Sequence, residues 1–144
     1  MLLASLFERD LKRLSEEIKA YTTETAIWQV APGIANSGGN LCLHLCGNLQ
    51  HFIGAILGNS GYVRVREKEF SDKDIPIDKL LAEIDATQRI VHTVISGLSP
   101  EALQALYTGK PLGEEITVEK FLTHLYGHLN YHLGQINYHR RLIH

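Results

Sequence analysis

The sequence predicts an all-α fold, a four-helix bundle with long crossover connections, and three observations predict it. Four long segments repeat apolar residues at i, i+3 and i+4, the period of one helix face. No convincing strand pattern intervenes. The segments are separated by stretches that lose this period and hold helix-breaking residues, such as Pro32, Gly38-Gly39 and Gly58-Asn59-Ser60-Gly61. At 144 residues the chain reads as a single domain over 1–144, large enough for one continuous core and too short for two.

The first helix follows from Leu3, Phe7, Leu11, Leu14, Ile18 and Tyr21, with Glu8, Lys12, Glu16 and Lys19 elsewhere on the wheel. It runs about five turns. Thr22 to Gly39 is a long connection tethered to the core by Trp28 and Ile34. Asn40 is the expected cap of the second helix, which runs to about Leu57 on a stripe of Leu41, His44, Leu45, Asn48, Leu49, Phe52 and Ile56. The segment RVREKEF, Arg64 to Phe70, then reads as a charged, solvated crossover, with a rim facing a substrate as the sharper alternative. Pro76 suits the first turn of a third helix whose inward stripe is Leu80, Ile84, Thr87, Val91, Val94 and Leu98, stopped at Gly97. Ser99-Pro100-Glu101 starts a short helix through Ala105, because it supplies a cap, a proline at N1 and an acidic first turn. Tyr107 to Glu115 is irregular, and Thr117 caps a last long helix continuing through His139 and Arg140. The uneven connections argue for at least one crossover rather than four helices joined by tight turns.

Composition excludes several classes. A formal charge of −2 and the lack of a basic run interleaved with aromatics give no case for nucleic acid. Charges interrupt the opening MLLASLFERD before an h-region can form, so it is not read as a signal peptide. Nothing approaches the run of about 20 apolar residues that a membrane span requires. The expected location is cytoplasmic. Cys42 and Cys46, the two cysteines, read as reduced, buried and small apolar. His44 lies about 200° around the helix from either, so the three cannot share an ion.

The chemistry concentrates in HLYGHLNYHLGQI, His124 to Ile136. His124, His128 and His132 recur every fourth residue and so share one helix stripe. One ion cannot span all three, because the outer pair lies about 12 Å apart along the axis. An adjacent pair plus a ligand from a facing helix can hold one ion, and three neutral nitrogens leave a coordination position open, the pattern of a catalytic site. His128 and His132 with His44 form the leading set. His124 in the pair, or His51 in place of His44, are the alternatives. Asn48 and Gln135 are the inward polar candidates for fixing the histidine tautomers. His92 reads as a polar residue of the third helix, and His139 and His144 as exposed tail residues.

HLCGN at His44–Asn48, REKEF at Arg66–Phe70 and HLNYHLGQI at His128–Ile136 together resemble the DinB-like (damage-inducible) superfamily, in its branch with HLxGN and HxxxHxGQI. The resemblance spans essentially the whole chain. It implies a bundle of unusual crossing topology, often homodimeric, with a divalent metal, nickel or zinc in many members, held by three histidines. Matched residue by residue, these are His44, His128 and His132, while His124 falls outside the motif. Better-studied relatives transfer low-molecular-weight thiols such as bacillithiol or mycothiol, or isomerise with a thiol cofactor. The implied function is a metal-dependent transferase that adds a small thiol, of bacillithiol, mycothiol or glutathione type, to an electrophilic small-molecule substrate in stress or detoxification. A metal-dependent hydrolase is the next reading, weakened because no Glu or Asp falls on an inward face near the triad. Glu67 or Glu69 reaches it only if the charged loop folds over the mouth. A non-catalytic dimeric bundle binding metal or a small ligand is the third. Leu2, Tyr62 and Ile143 are the exposed apolar candidates for a dimer contact.

Overall fold

The computed structural model describes residues 1–143, so His144 lies outside the described residues. Four long helices carry the fold: α1 (Leu2–Lys19), α3 (Gly38–Leu49), α5 (Ile77–Ser96) and α7 (Val118–Leu142). Three short ones fill the connections: α2 (Glu24–Trp28), α4 (Arg66–Ser71) and α6 (Pro100–Gln104). Among the described residues there is no strand, only an isolated bridge between Leu106 and Thr117. No helix among them is long and apolar enough to cross a membrane.

Each of α1 and α3 packs against both α5 and α7, whereas α1 and α3 barely meet and α5 and α7 hardly at all. The long helices therefore form a square in which α1 lies diagonally across from α3, and α5 from α7. Two of the steps between long helices cross a diagonal, α1 to α3 over 18 residues and α5 to α7 over 21. The core is drawn from Phe7, Leu11, Leu14 and Ile18 of α1, Leu45 and Leu49 of α3, Leu80 and Ile84 of α5, and Leu122 and Leu129 of α7. Asp10 sits fully buried on that face of α1. It accepts hydrogen bonds from Tyr126 Oη and Asn130 Nδ2 of α7, and from Arg9 and Arg13 on its own helix.

Several local expectations are corrected. Ser37, not Asn40, caps α3, its hydroxyl accepting from Asn40 N. Gly38 and Gly39 belong to the first turn of α3 because large side chains press on it: a Cβ at Gly38 would lie 1.9 Å from Tyr21 Oη, and one at Gly39 would lie 2.7 Å from the Trp28 ring. From Gln50 to Leu57 the second long helix continues as a π-helix. Longer i→i+5 closure turns the inward face out of its α-register, so Ile53 is buried while Ile56, expected inside, is exposed. On α5 the inward stripe ends at Ile95, with Val94 and Leu98 only half-buried.

His139 is not an exposed tail residue but is buried. Its Nε2–H donates to Gln29 O (2.7 Å) and its Nδ1 accepts from Tyr21 Oη (2.6 Å), so it pins the α1–α3 connection to the end of α7. Ile143 is likewise buried, which removes it as a dimer contact; Leu2 is exposed and Tyr62 half-buried. Cys42 and Cys46 are buried and free. Their mutual hydrogen bond and burial push the Cys42 thiol up.

Candidate metal centre

His44 comes from α3, and His128 and His132 from the facing side of α7, one turn apart. Each offers a ring nitrogen, and the three lie within 4.8 Å of one another. His44 Nε2 and His128 Nε2 are 3.2 Å apart. Two ligands of a tetrahedral ion with bonds of about 2.05 Å sit about 3.3 Å apart, so the spacing fits. His51 does not join the cluster; it packs beside Phe52. His124 stays outside the cluster, exposed at the edge of the same cavity.

The outer nitrogens decide the tautomers. His44 Nδ1 lies 3.0 Å from Glu69 Oε1, an acceptor, so Nδ1 carries the proton and Nε2 is left with its lone pair toward the other rings. Arg64 Nη2 also lies 3.5 Å from this Nδ1, but a protonated nitrogen cannot accept, so that approach is a packing contact. His132 Nδ1 donates to Gln135 Oε1 at 2.7 Å, and leaves Nε2 free in the same way. His128 Nδ1 has no partner among the described residues. Burial, with His132 and His44 close by, pulls His128 down to about 4, and burial also lowers His132. Both rings are neutral at pH 7, the form that binds a metal.

Glu69 departs from the leading expectation of a solvated charged crossover: sequence brings it, or Glu67, to the triad only if that segment folds over the mouth. The segment instead forms α4, and Glu69 is buried. Arg64 Nε and Nη2 each donate to its carboxylate at 2.9 Å, so Glu69 bridges Arg64 and His44. Burial raises the Glu69 carboxyl, but the bonds from His44 and Arg64 outweigh it and hold it below its ordinary value. Two features seat it. Asn40 Nδ2 donates to Glu69 O (3.0 Å) and Asp72 O (2.9 Å), which clamps α4 from below. Gly47 makes room, because a Cβ there would lie 1.9 Å from Glu69 Oε2. A glycine inside an apolar helix is the sequence signal that something passes close to it. Asn48, expected to fix a tautomer, does not: its Oδ1 makes no hydrogen bond among the described residues.

Two of the three, His44 and His128, line a cavity of about 280 Å³ together with Asn48, Phe52, Phe121 and Leu125, and with Arg64, Arg66 and His124. A larger cavity of about 440 Å³ lies on the other side of Glu69 and touches none of the three histidines.

Three nitrogens, two with fixed tautomers, thus face one point beside a mixed polar and apolar cavity. The chain matches the family model described as the DinB superfamily over residues 6–136. Its fold is similar to that of YjoA, a DinB-like protein from Bacillus subtilis, with a TM-score of 0.72 and 15% identity over 98% of this chain and 90% of that one. No curated protein matches the sequence.

Proposed function

The chain belongs to the DinB superfamily, and on that footing we propose that His44, His128 and His132 hold one divalent ion, nickel or zinc, in a transferase that joins a low-molecular-weight thiol to an electrophile. The observation that carries this reading is the convergence of three imidazole nitrogens from two helices, within 4.8 Å of one another, two of the rings (His44 and His128) lining a cavity. A bound divalent ion supplies Lewis acidity, which lowers the pKa of a thiol as it does that of water.

The chain's own residues do the rest. Glu69 accepts a hydrogen bond from the Nδ1–H of His44 and Gln135 one from that of His132, so neither ring has to rotate or shed a proton to become a ligand. Arg64 neutralises Glu69, so the inner end of the site gains no net charge from the pair. Phe52, Phe121 and Leu125 give the cavity an apolar wall against which the body of an electrophile can pack.

Hydrolysis is the weaker reading. A hydrolase needs a base near the attacking water. The cavity lining contains no carboxylate, and Glu69 is already committed to His44 and Arg64. The expected partners are small molecules and, by family resemblance, a second copy of the chain, in the cytoplasm. Sizing in dilute solution tests the dimer, which a single monomer peak would reject.

Mixing protein, zinc or nickel, a bacillithiol-type thiol and a halogenated or epoxide acceptor tests the activity. Free thiol should disappear faster than in the protein-free control, and His44→Ala should abolish the difference. No acceleration with any divalent metal rejects the transferase.

A further inference from the structure

The cavity beside the triad carries a second recognition element, one that the metal reading does not use. Arg66 is an exposed residue of its lining and makes no salt bridge among the described residues. It is nevertheless held in place. Its guanidinium sits over the Phe70 ring, 5.2 Å from the centroid, and the Phe70 ring in turn packs at a tilt of 38° beside His44, with centroids 4.9 Å apart. The contact with Phe70 takes a face of the guanidinium and leaves its N–H edge free. Arg64, the other cation at the cavity, is consumed by Glu69. No carboxylate lines the cavity, so the charge of Arg66 is uncompensated there. Deeper in, Asn48 is a nearly buried wall residue whose Oδ1 has no hydrogen-bond partner, so its amide can turn to a ligand without breaking a bond. Phe52, Phe121 and Leu125 supply apolar surface in the same cavity.

We propose that this cavity recognises a small ligand with an apolar body and a carboxylate, the carboxylate taken by the free edge of Arg66. The proposal deepens the transferase reading by naming a substrate class, and it rests on that reading for the catalytic meaning of the cavity. The discrimination itself depends only on residues of this chain. A planar guanidinium with a free edge matches a carboxylate in two parallel hydrogen bonds, which an ammonium or an amide cannot reproduce. At about 280 Å³ the space is at the small end of ligand cavities, so the occupant is a small molecule, not a peptide or polymer. The carboxylate can belong either to the thiol or to the acceptor, and the two sources are separable.

Calorimetric titration of the full chain, zinc-loaded and chelator-treated, with two matched pairs of probes tests the proposal. One pair is 3-phenylpropanoate and 3-phenylpropanamide, and the other is 3-mercaptopropanoate and 3-mercaptopropanamide. In at least one pair the carboxylate should bind the wild type about tenfold more tightly than the amide. Arg66→Gln should erase that preference, and Arg66→Lys, keeping the charge without the fork, should retain only part of it. Preference confined to the phenyl pair assigns the carboxylate to the acceptor, and preference confined to the thiol pair assigns it to the thiol; both support the proposal. Equal binding of acid and amide in both pairs overturns it, as does a preference that survives Arg66→Gln in the chelator-treated chain. Arg66 is exposed, so the variants should melt as the wild type does. A chain that takes up no zinc ends the transferase reading but leaves the chelator-treated titrations decisive for Arg66.

Discussion

Replacing Gly47 by alanine perturbs the centre without touching a proposed ligand or changing a charge. The added Cβ would fall 1.9 Å from Glu69 Oε2 and 2.6 Å from its Cδ, so the carboxylate must leave its seat. Leaving breaks the bond from His44 Nδ1 at 3.0 Å and the two from Arg64 at 2.9 Å. Hydrogen bonds to charged groups contribute about 1.5–3 kcal/mol each, and solvent entering from the neighbouring cavity restores part, which leaves a loss of about 2–4 kcal/mol. Helix propensity pulls the other way, since alanine in place of an interior glycine gains about 1 kcal/mol. The steric term wins, and Gly47→Ala should destabilise the metal-free protein by about 1–3 kcal/mol. Freed from Glu69, the His44 ring loses its fixed tautomer, and loss of such an outer partner weakens metal binding by about 10–100-fold. Urea unfolding and competitive zinc titration read the two effects. Glu69→Ala supplies the control: once the carboxylate is gone, Gly47→Ala on that background should leave zinc affinity unchanged and recover about 1 kcal/mol. A Gly47→Ala single variant that binds zinc like the wild type and is more stable would refute the reasoning.

Three further outcomes are expected. Tyr21→Phe leaves buried His139 Nδ1 without its donor and should cost about 1–3 kcal/mol in chemical denaturation while leaving zinc affinity unchanged; a shift in affinity would mean the two regions are coupled. Asp10 is raised by burial but pulled down to about 2 by bonds from Arg9, Tyr126 and Asn130, so its folded value lies below its unfolded one. Its contribution of about 2 kcal/mol is therefore present above pH 4 and lost as pH falls toward 2, and Asp10→Asn should flatten that limb of an acid-stability profile. Zinc at about a hundred times its Kd should stabilise the wild type by about 2.7 kcal/mol and should not stabilise His128→Ala or His132→Ala.

The helices were legible because burial follows a 3.6-residue period wherever the backbone stays α-helical, as from Phe7 through Ile18. The period fails where hydrogen bonding changes: the π-helix of Gln50–Leu57 moves Ile53 inward and Ile56 outward, and no residue there announces it. The triad was legible for a related reason. Four-residue spacing placed His128 and His132 together on α7, and polar His44 on an apolar stripe marked the facing position. Behind the triad, Gln135 was legible from its three-residue spacing to His132, but the partner of His44 was not singled out, because a buried carboxylate in Arg-Glu-Lys-Glu-Phe has the hydropathy of an exposed one. Only tertiary contacts with Arg64, His44 and Gly47 separate Glu69 from Glu67. The burial of His139 was hidden in the same way, since its partners Tyr21 and Gln29 lie more than a hundred residues away along the chain.

X-ray absorption of the zinc-loaded protein at the zinc edge, with metal content measured on the same sample, interrogates the triad most directly. Three-histidine coordination predicts one ion per chain, multiple-scattering from three imidazoles, at least one further light-atom ligand, and one imidazole fewer in His132→Ala. A chain that retains no zinc, or a spectrum with sulfur or a single imidazole around the metal, would contradict it.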